Sequence, residues 1–195
     1  NFDYFSLDGS SQLIAKTGYS RIGGFEIYLS RPELGSSLWE TILEAGRSEN
    51  IRPGSPNIID RVEAGLLSFG NEMTVENTPL ECNMDKFLDI NKEADYIGKK
   101  VLQRQIRYGI KRRIRGVIYN GPKLPTISRP LQVFDINKRT IVGSLTSGAF
   151  SPHFKRNIGV GMIKYGYWDN NKKILVNIAD QEFREGLIKD LPLIQ

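Results

Sequence analysis

The C-terminal half of the chain alternates short apolar stretches with turn residues, and this spacing limits the fold more than any other feature. The stretches run in close succession over residues 113–120, 130–150, 157–168 and 173–189. Gly, Asn and Asp, which are typical of tight turns, separate them. Closely spaced strands with such turns predict a small antiparallel barrel or sandwich. Within the second stretch, "DINKRT" predicts a hairpin connection.

The N-terminal part opens with strand patterns. Residues 2–7 and 11–17 predict two strands around the turn "DGS". In "GFEIYLS", Phe25, Ile27 and Leu29 alternate with polar positions, which predicts a half-buried strand. Glu26 then lies on the face opposite the apolar set.

Helical patterns follow these strands. A helix is predicted from Pro32 to residues 47–50, because Pro is tolerated in the first turn and Leu and Ile recur at helical spacing. A second, short helix is predicted in "IIDRVEAGLL", with Arg61 set off from its apolar stripe. Residues 71–95 predict an irregular connection. The segment "DYIGKKVLQRQIRYG" predicts an amphipathic helix capped by Asp95.

Composition excludes several classes of protein. Hydrophobic residues make up 39% and charged residues 25%, which is ordinary for a globular chain, and no apolar run is long enough for a membrane span. Cys82 is the only cysteine and His153 the only histidine. Disulfides within the chain and Cys/His metal sites are therefore excluded, and a cytoplasmic location without a membrane partner is expected. His153, beside a proline, is predicted to be a surface or turn residue.

The excess positive charge is concentrated in "GKKVLQRQIRYGIKRRIRG", residues 98–116, within a net charge of +5. Such a run is compatible with a nucleic-acid-binding module, with a solvated helix and strand edge, or with attraction of small anions. Aromatic interleaving for base stacking is missing, which favours the solvated surface and no nucleic-acid partner.

The stretch "TGYSRIGGFEIYL", residues 17–29, combines glycines with one aromatic ring and one carboxylate. Its glycine spacing differs from the dinucleotide fingerprint and predicts a turn between strands. A carboxylate such as Glu26 accepts paired hydrogen bonds from an amidine-like edge of a heterocycle. Tyr19 offers a ring face or a hydroxyl beside it.

This stretch resembles the "TGYTGEDGFEI" signature of the glycine-cleavage T-protein, or aminomethyltransferase, family of folate enzymes. Further stretches resemble family motifs in the same order: "DRVEAGLLSFGNEM", "NTPLECNMDKF", "DYIGKKVL" and "GSLTSGAFSPHFKRNIGVGMI". The resemblance implies an α+β fold, with residues 1–92 forming the end of a folate-binding domain and residues 93–195 a C-terminal antiparallel β-barrel domain. It further implies that the chain is a C-terminal fragment, inactive without an N-terminal half.

The departures from this signature point to one branch of the family. Arg21 and Ile22 replace the usual Glu-Asp, and the form "GYS..GGFEIYL" with "GLLSFGNEMT" is most similar to the dimethylsulfoniopropionate demethylases. That branch moves a methyl group from the sulfonium to tetrahydrofolate. A glycine-cleavage-type aminomethyltransferase and a noncatalytic folate-binding relative stay open, with the nucleic-acid-binding module as a distant alternative.

The resemblance assigns a role to three residues at the folate site. Glu26 matches the glutamate that binds the pterin edge, Tyr19 a tyrosine lining the same pocket, and Arg61 an arginine at that site. The alternatives are an exposed strand carboxylate, a core or hairpin aromatic, and a helix-surface ion pair, respectively. No catalytic residue is assigned.

Other positions are less constrained. Trp168 is a candidate for binding the sulfonium donor, since aromatic faces attract cations, but it also suits a plug of the barrel. The motif from Thr146-Ser147-Gly148 to Ser151-Pro152 is interpreted as a structural hairpin that faces the folate cavity, without a catalytic role. Arg129 either meets the glutamate tail of folate or faces solvent. The donor and the oligomeric state, a homodimer included, stay open.

Overall fold

The computed structural model describes residues 2–19, 23–55 and 57–194. Contacts divide the chain into two compact units, Asn1–Asn57 and Ile58–Gln195. This division lies before the domain boundary predicted at residues 92 and 93, which stays a prediction. The two units are described in turn.

The first unit begins with a three-stranded antiparallel sheet in the order β1-β2-β3. Its strands are β1 (Phe2–Leu7), β2 (Ser10–Ala15) and β3 (Glu26–Tyr28). The predicted first hairpin is confirmed, and Asp8 and Gly9 close it with positive φ angles of 47° and 73°. Buried Gln12 fixes the sheet edge, because its Oε1 accepts the backbone N–H of Ser30 at 2.8 Å.

The third strand is shorter than its sequence pattern indicates. Only three residues pair with β2, and the prediction that Phe25 belongs to the buried face is wrong, since this side chain is 65% exposed. Ile27 and Leu29 keep their partly buried positions. The predicted helix is confirmed as α1 (Gly35–Ala45), flanked by 3₁₀ turns at Pro32–Leu34 and Arg47–Glu49.

The second unit contains the predicted barrel, closed in the order β4-β7-β6-β5-β8-β9 with all pairs antiparallel. Its strands are β4 (Arg112–Tyr119), β5 (Leu131–Phe134), β6 (Ile141–Ser151), β7 (Arg156–Lys164), β8 (Lys173–Ala179) and β9 (Glu182–Lys189). Fully buried side chains such as Val117, Leu145 and Ile174 fill the interior. Closure leaves none of these strands with an unpaired edge.

The predicted hairpin between β5 and β6 is confirmed in atomic detail. The Asp135 carboxylate accepts the backbone N–H groups of Arg139 and Thr140 at 2.7 and 2.8 Å. The Asp135 backbone N–H donates to the Thr140 carbonyl at 3.0 Å. This local chemistry explains why the turn was readable from the sequence.

Two helices precede the barrel in the second unit. The predicted short helix is α2 (Ile58–Glu63), and the amphipathic one is α3 (Lys99–Tyr108). The prediction that Asp95 caps α3 is wrong, because Gly98 occupies the N-cap with a φ of 87° and Asp95 accepts only the N–H of Tyr96. Residues 71–95 form turns and one 3₁₀ helix, Asp85–Phe87, as predicted. Among the described residues, no helix is long and apolar enough to cross a membrane.

Candidate functional site

In the first unit, the first residue of β3 presents a carboxylate to solvent. Pairing places Glu26 opposite Ala15 at the last position of the β2–β3 ladder. The Thr17 hydroxyl donates to Glu26 Oε2, and both residues are exposed. Thr17 therefore orients a carboxylate that stays accessible to hydrogen-bond donors of a ligand.

The loop between β2 and β3 carries the candidate aromatic residue. Tyr19 is 45% exposed, and Gly23 and Gly24 return the chain to β3 with φ angles of 98° and 134°, which favour glycine. The departure at Arg21 and Ile22, together with Ser20, lies outside the described residues. The structure thus places Tyr19 and Glu26 on one strand–loop–strand segment, and their contacts with a pterin stay predictions.

In the second unit, Arg61 lies inside the protein rather than on a helix surface. Its Nη1 donates to the Leu66 carbonyl at 3.1 Å and to both carboxylate oxygens of Glu72 at 3.2 Å. Its Nη2 donates to Glu72 Oε1 at 3.2 Å and to Ser147 Oγ at 2.7 Å. The ion-pair alternative is therefore realised in a buried form, and the folate role of Arg61 stays a prediction.

The partners of Arg61 are themselves fixed. The Glu72 side chain is 0% exposed and also accepts the Ser68 backbone N–H at 2.6 Å. Asn71 Nδ2 lies 3.3 Å from Ser147 Oγ. A buried ion pair is tolerated when additional hydrogen bonds satisfy its atoms, and this arrangement meets that condition. The network braces α2 and the following loop against the barrel.

A second polar contact joins the helix α2 to the barrel strand β6. Ser151 Oγ donates to Glu63 Oε1 at 2.5 Å, and both residues are buried. Ser151 Oγ also accepts the Phe154 backbone N–H at 3.0 Å. The Glu63 carbonyl accepts the backbone N–H of Leu193 at 2.8 Å, which holds the C-terminal segment.

These contacts were missed by the sequence analysis, which interpreted the stretch from Thr146 to Pro152 only as a structural hairpin. The hairpin is confirmed, because β6 ends at Ser151 and pairs antiparallel with β7, with Ser151 opposite Arg156 across the turn. The available signal was the placement of polar residues inside otherwise apolar segments. Such residues are buried only with hydrogen-bond partners, so they mark contacts between elements.

The remaining candidates lie on the barrel. Trp168 is partly buried, packs against the barrel core and meets Tyr165 edge-on at 5.1 Å between ring centroids. Its role in donor binding stays a prediction. Arg129 is exposed, and His153 is an exposed turn residue, as predicted. Among the described residues, no group of three or more His, Cys, Asp or Glu side chains could hold a metal ion.

Two family models match the chain in tandem. The model described as the GCVT N-terminal domain matches residues 1–92. The model described as the glycine cleavage T-protein C-terminal barrel domain matches residues 112–191. The second match covers most of the closed barrel.

Curated proteins and a solved structure are similar over most of the chain. A dimethylsulfoniopropionate demethylase of Ruegeria pomeroyi is 40% identical over 84% of this chain and 43% of its own length. An aminomethyltransferase of Geobacillus sp. is 33% identical over 95% of this chain and 50% of its own length. The crystal structure of glycine cleavage system aminomethyltransferase T from Bartonella henselae has a TM-score of 0.78 at 22% identity, covering 94% of this chain and 50% of that one. The chain spans about half the length of the curated relatives it matches.

Proposed function

Since the chain belongs to the glycine-cleavage T-protein family, we propose that the protein is a tetrahydrofolate-dependent methyltransferase with dimethylsulfoniopropionate as its methyl donor. The products are 5-methyltetrahydrofolate and methylmercaptopropionate. The choice of dimethylsulfoniopropionate as the donor rests on the 40% identity to the Ruegeria pomeroyi demethylase over 84% of the chain. The replacement at Arg21 and Ile22 supports the same branch.

The proposal gives defined tasks to the segment that connects β2 and β3. Tetrahydrofolate, when bound, supplies the nitrogen that accepts the methyl group. Glu26 accepts hydrogen bonds from the donor edge of the pterin, and such bonds to a charged acceptor are stronger than neutral ones. Thr17 fixes the Glu26 carboxylate, and Tyr19 covers one side of the ring system. The protein contributes alignment of donor and acceptor, because a sulfonium is already an activated leaving group.

A second candidate function is aminomethyl transfer of the glycine-cleavage type. It is favoured by the aminomethyltransferases of Geobacillus sp. and of Caldanaerobacter subterraneus, which are 33% and 36% identical over 95% of the chain. The two candidates share the cofactor and differ in the donor. A donor assay therefore separates them without altering the folate site.

The folate site is tested by titrating tetrahydrofolate into the complete gene product, because the chain spans about half of its relatives. Glu26→Ala removes charge-assisted hydrogen bonds and should weaken binding by at least about tenfold. Glu40→Ala, an exposed carboxylate on α1, is the matched control and should change binding by less than about twofold. Equal affinity of both variants for tetrahydrofolate would remove Glu26 from the site.

A further inference from the structure

The cations of the basic run at residues 98–116 fall into two groups: those with a carboxylate or carbonyl partner, and those without an ion pair. The run contains eight Lys and Arg residues and no Asp or Glu. Three arginines form ion pairs with carboxylates outside the run: Arg112 with Glu81, Arg113 with Asp85, and Arg115 with Asp190. Lys99 instead donates to backbone carbonyls.

The other four cations of the run keep their charge uncompensated. Within residues 2–19, 23–55 and 57–194, no ion pair involves Lys100, Arg104, Arg107 or Lys111. Arg107 lies over the ring of Tyr108, with 5.4 Å from Cζ to the centroid. Arg104 and Lys111 are exposed and line one surface cleft, whose lining does not include Lys100 or Arg107. Two of the four unpaired cations therefore lie at this cleft.

The cleft lies between α3 and the end of β7 and has a volume of about 710 Å³. Two aromatic rings line it, Tyr108 and Tyr165, and they are 72% and 71% exposed. The Tyr165 backbone N–H donates to the Lys111 carbonyl at 2.8 Å, which fixes this ring-bearing segment next to the cation. The basic run itself contains one aromatic residue, Tyr108. The second ring of the cleft, Tyr165, belongs to the segment that directly follows β7.

The polar atoms of the cleft favour a ligand that carries an anionic group. Glu81 lines the cleft but is already bound, accepting Arg112 Nε at 2.9 Å and the Thr78 backbone N–H at 3.0 Å. Gln105 Oε1 is buried and has no surface open to the cleft, so it offers no acceptor to a ligand. The charged groups of the cleft that are free to meet a ligand are those of Arg104 and Lys111.

We propose that this cleft binds a mononucleotide. The phosphate meets Arg104 and Lys111, and the base stacks on the tyrosine rings. A simple inorganic anion would leave the aromatic faces unused, whereas the cleft volume lies in the usual range for organic ligands. Stacking on aromatic side chains and charge-assisted phosphate contacts are the ordinary means of nucleotide recognition. The cleft includes no residue that is assigned to the folate site, and the proposal does not rest on the proposed function.

The test is calorimetric titration of adenosine 5′-monophosphate into the complete gene product. Saturable binding with a dissociation constant below about 1 mM is expected. Arg104→Gln and Lys111→Gln should each weaken binding at least about fivefold, because each removes a phosphate contact. Lys100→Gln, on the same helix but outside the cleft, is the matched control and should change the affinity less than about twofold. All three side chains are exposed, so the variants keep the fold.

Titrations with fragments of the nucleotide and with an oligonucleotide test which class of ligand the cleft binds. Adenosine and ribose 5-phosphate should each bind at least about fivefold more weakly than the nucleotide, since each lacks one half of the recognition. The proposal is overturned by absent binding, by equal effects of Lys100→Gln and Arg104→Gln, or by much tighter binding of an oligoadenylate, which would indicate a nucleic-acid strand instead. Glu26→Ala should leave nucleotide binding unchanged, so the two sites fail or succeed independently.

Discussion

The guanidinium of Arg61 donates a 2.7 Å hydrogen bond to Ser147 Oγ across 86 residues of sequence. Ser147 lies in the barrel strand β6 and Arg61 in the helix α2, so the bond ties two elements that are remote in the chain. Between Arg61 and Glu63, Val62 is fully buried in an apolar cluster with Ile158. The polar contacts of Arg61 and Glu63, on either side of the apolar contact of Val62, thus hold α2 against the barrel.

Arg61→Met should destabilise the second unit strongly. Removing the cation leaves the Glu72 carboxylate buried without compensation, which costs on the order of 3–5 kcal/mol. The free energy of unfolding is measured by urea titration in a Trp39→Phe background, which leaves Trp168 as the only tryptophan and thus as a reporter of the barrel unit. The paired variant Arg61→Met with Glu72→Met should recover much of the loss.

The exposed pair of Arg47 and Glu44 is the control for the buried pair of Arg61 and Glu72. Arg47→Met should change the free energy of unfolding of the first unit, followed by Trp39 fluorescence in a Trp168→Phe background, by less than about 0.5 kcal/mol, because exposed ion pairs contribute little. A loss of similar size for Arg47→Met and Arg61→Met would contradict the structural role assigned to the buried network.

Gly161→Ala should be among the most damaging substitutions in the barrel. A Cβ atom at this position would lie 1.9 Å from the Ser144 carbonyl oxygen and 2.7 Å from Leu145 Cα, so the backbones of β6 and β7 would have to separate. The expected loss is more than about 3 kcal/mol. Gly98→Ala has open space at its Cβ and meets only the cost of the left-handed conformation, with a φ of 87°, so thermal unfolding should show a loss of about 1–2 kcal/mol there. Comparable losses would mean that β6 and β7 are not this closely packed.

Burial raises the pKa of Tyr119 from 10.0 to about 12, with Arg184 offsetting part of the effect. Because the folded state binds the phenolic proton more tightly than the unfolded state, the corresponding stability is present below pH 10 and is lost as the pH rises from about 10 to about 12. Two pKa steps correspond to a loss of about 2–3 kcal/mol. Urea titrations across this range should therefore show that the wild type loses this amount relative to Tyr119→Phe. Parallel pH profiles for the two proteins would refute the assignment.

The pKa of the Cys82 thiol is raised by burial and by the Glu81 carboxylate, while Arg112 partly lowers it. A buried thiol with little thiolate reacts slowly with disulfide reagents. Dithionitrobenzoate at pH 8 should modify the folded chain at least about a hundredfold more slowly than the urea-unfolded chain. Cys82 is the only cysteine, so the absorbance reports this site alone. Rapid modification of the folded chain would show that β4 and the preceding loop do not shield it.

The features that the sequence predicted are those determined locally. The β5–β6 hairpin was predictable because Asp135 bonds within its own turn. Barrel formation was predictable from the strand spacing, although periodicity alone did not exclude a sandwich. The start of α3 was not, because Gly98 takes the left-handed conformation that stops the helix from extending to Asp95. A local pattern cannot tell which of two nearby signals determines a helix end.

For the candidate site, too, the sequence predicted the local features and not the long-range contacts. Glu26 was predicted on the polar face of its strand, and the structure leaves it exposed beside Thr17. Arg61 was set off from the apolar stripe of its helix, which indicates a surface position. Its burial depends on Glu72 and Ser147, and the second of these is supplied by the barrel. Such long-range compensation has no signature in the spacing around Arg61 itself.

The proposed function is tested most directly by incubating the complete gene product with tetrahydrofolate and dimethylsulfoniopropionate labelled in its S-methyl groups. Nuclear magnetic resonance then follows the labelled carbon. The account predicts that the label appears in 5-methyltetrahydrofolate at the same rate as methylmercaptopropionate forms, and that Glu26→Ala slows both. Turnover of the sulfonium without label on folate, or turnover of an aminomethyl donor only, would contradict it.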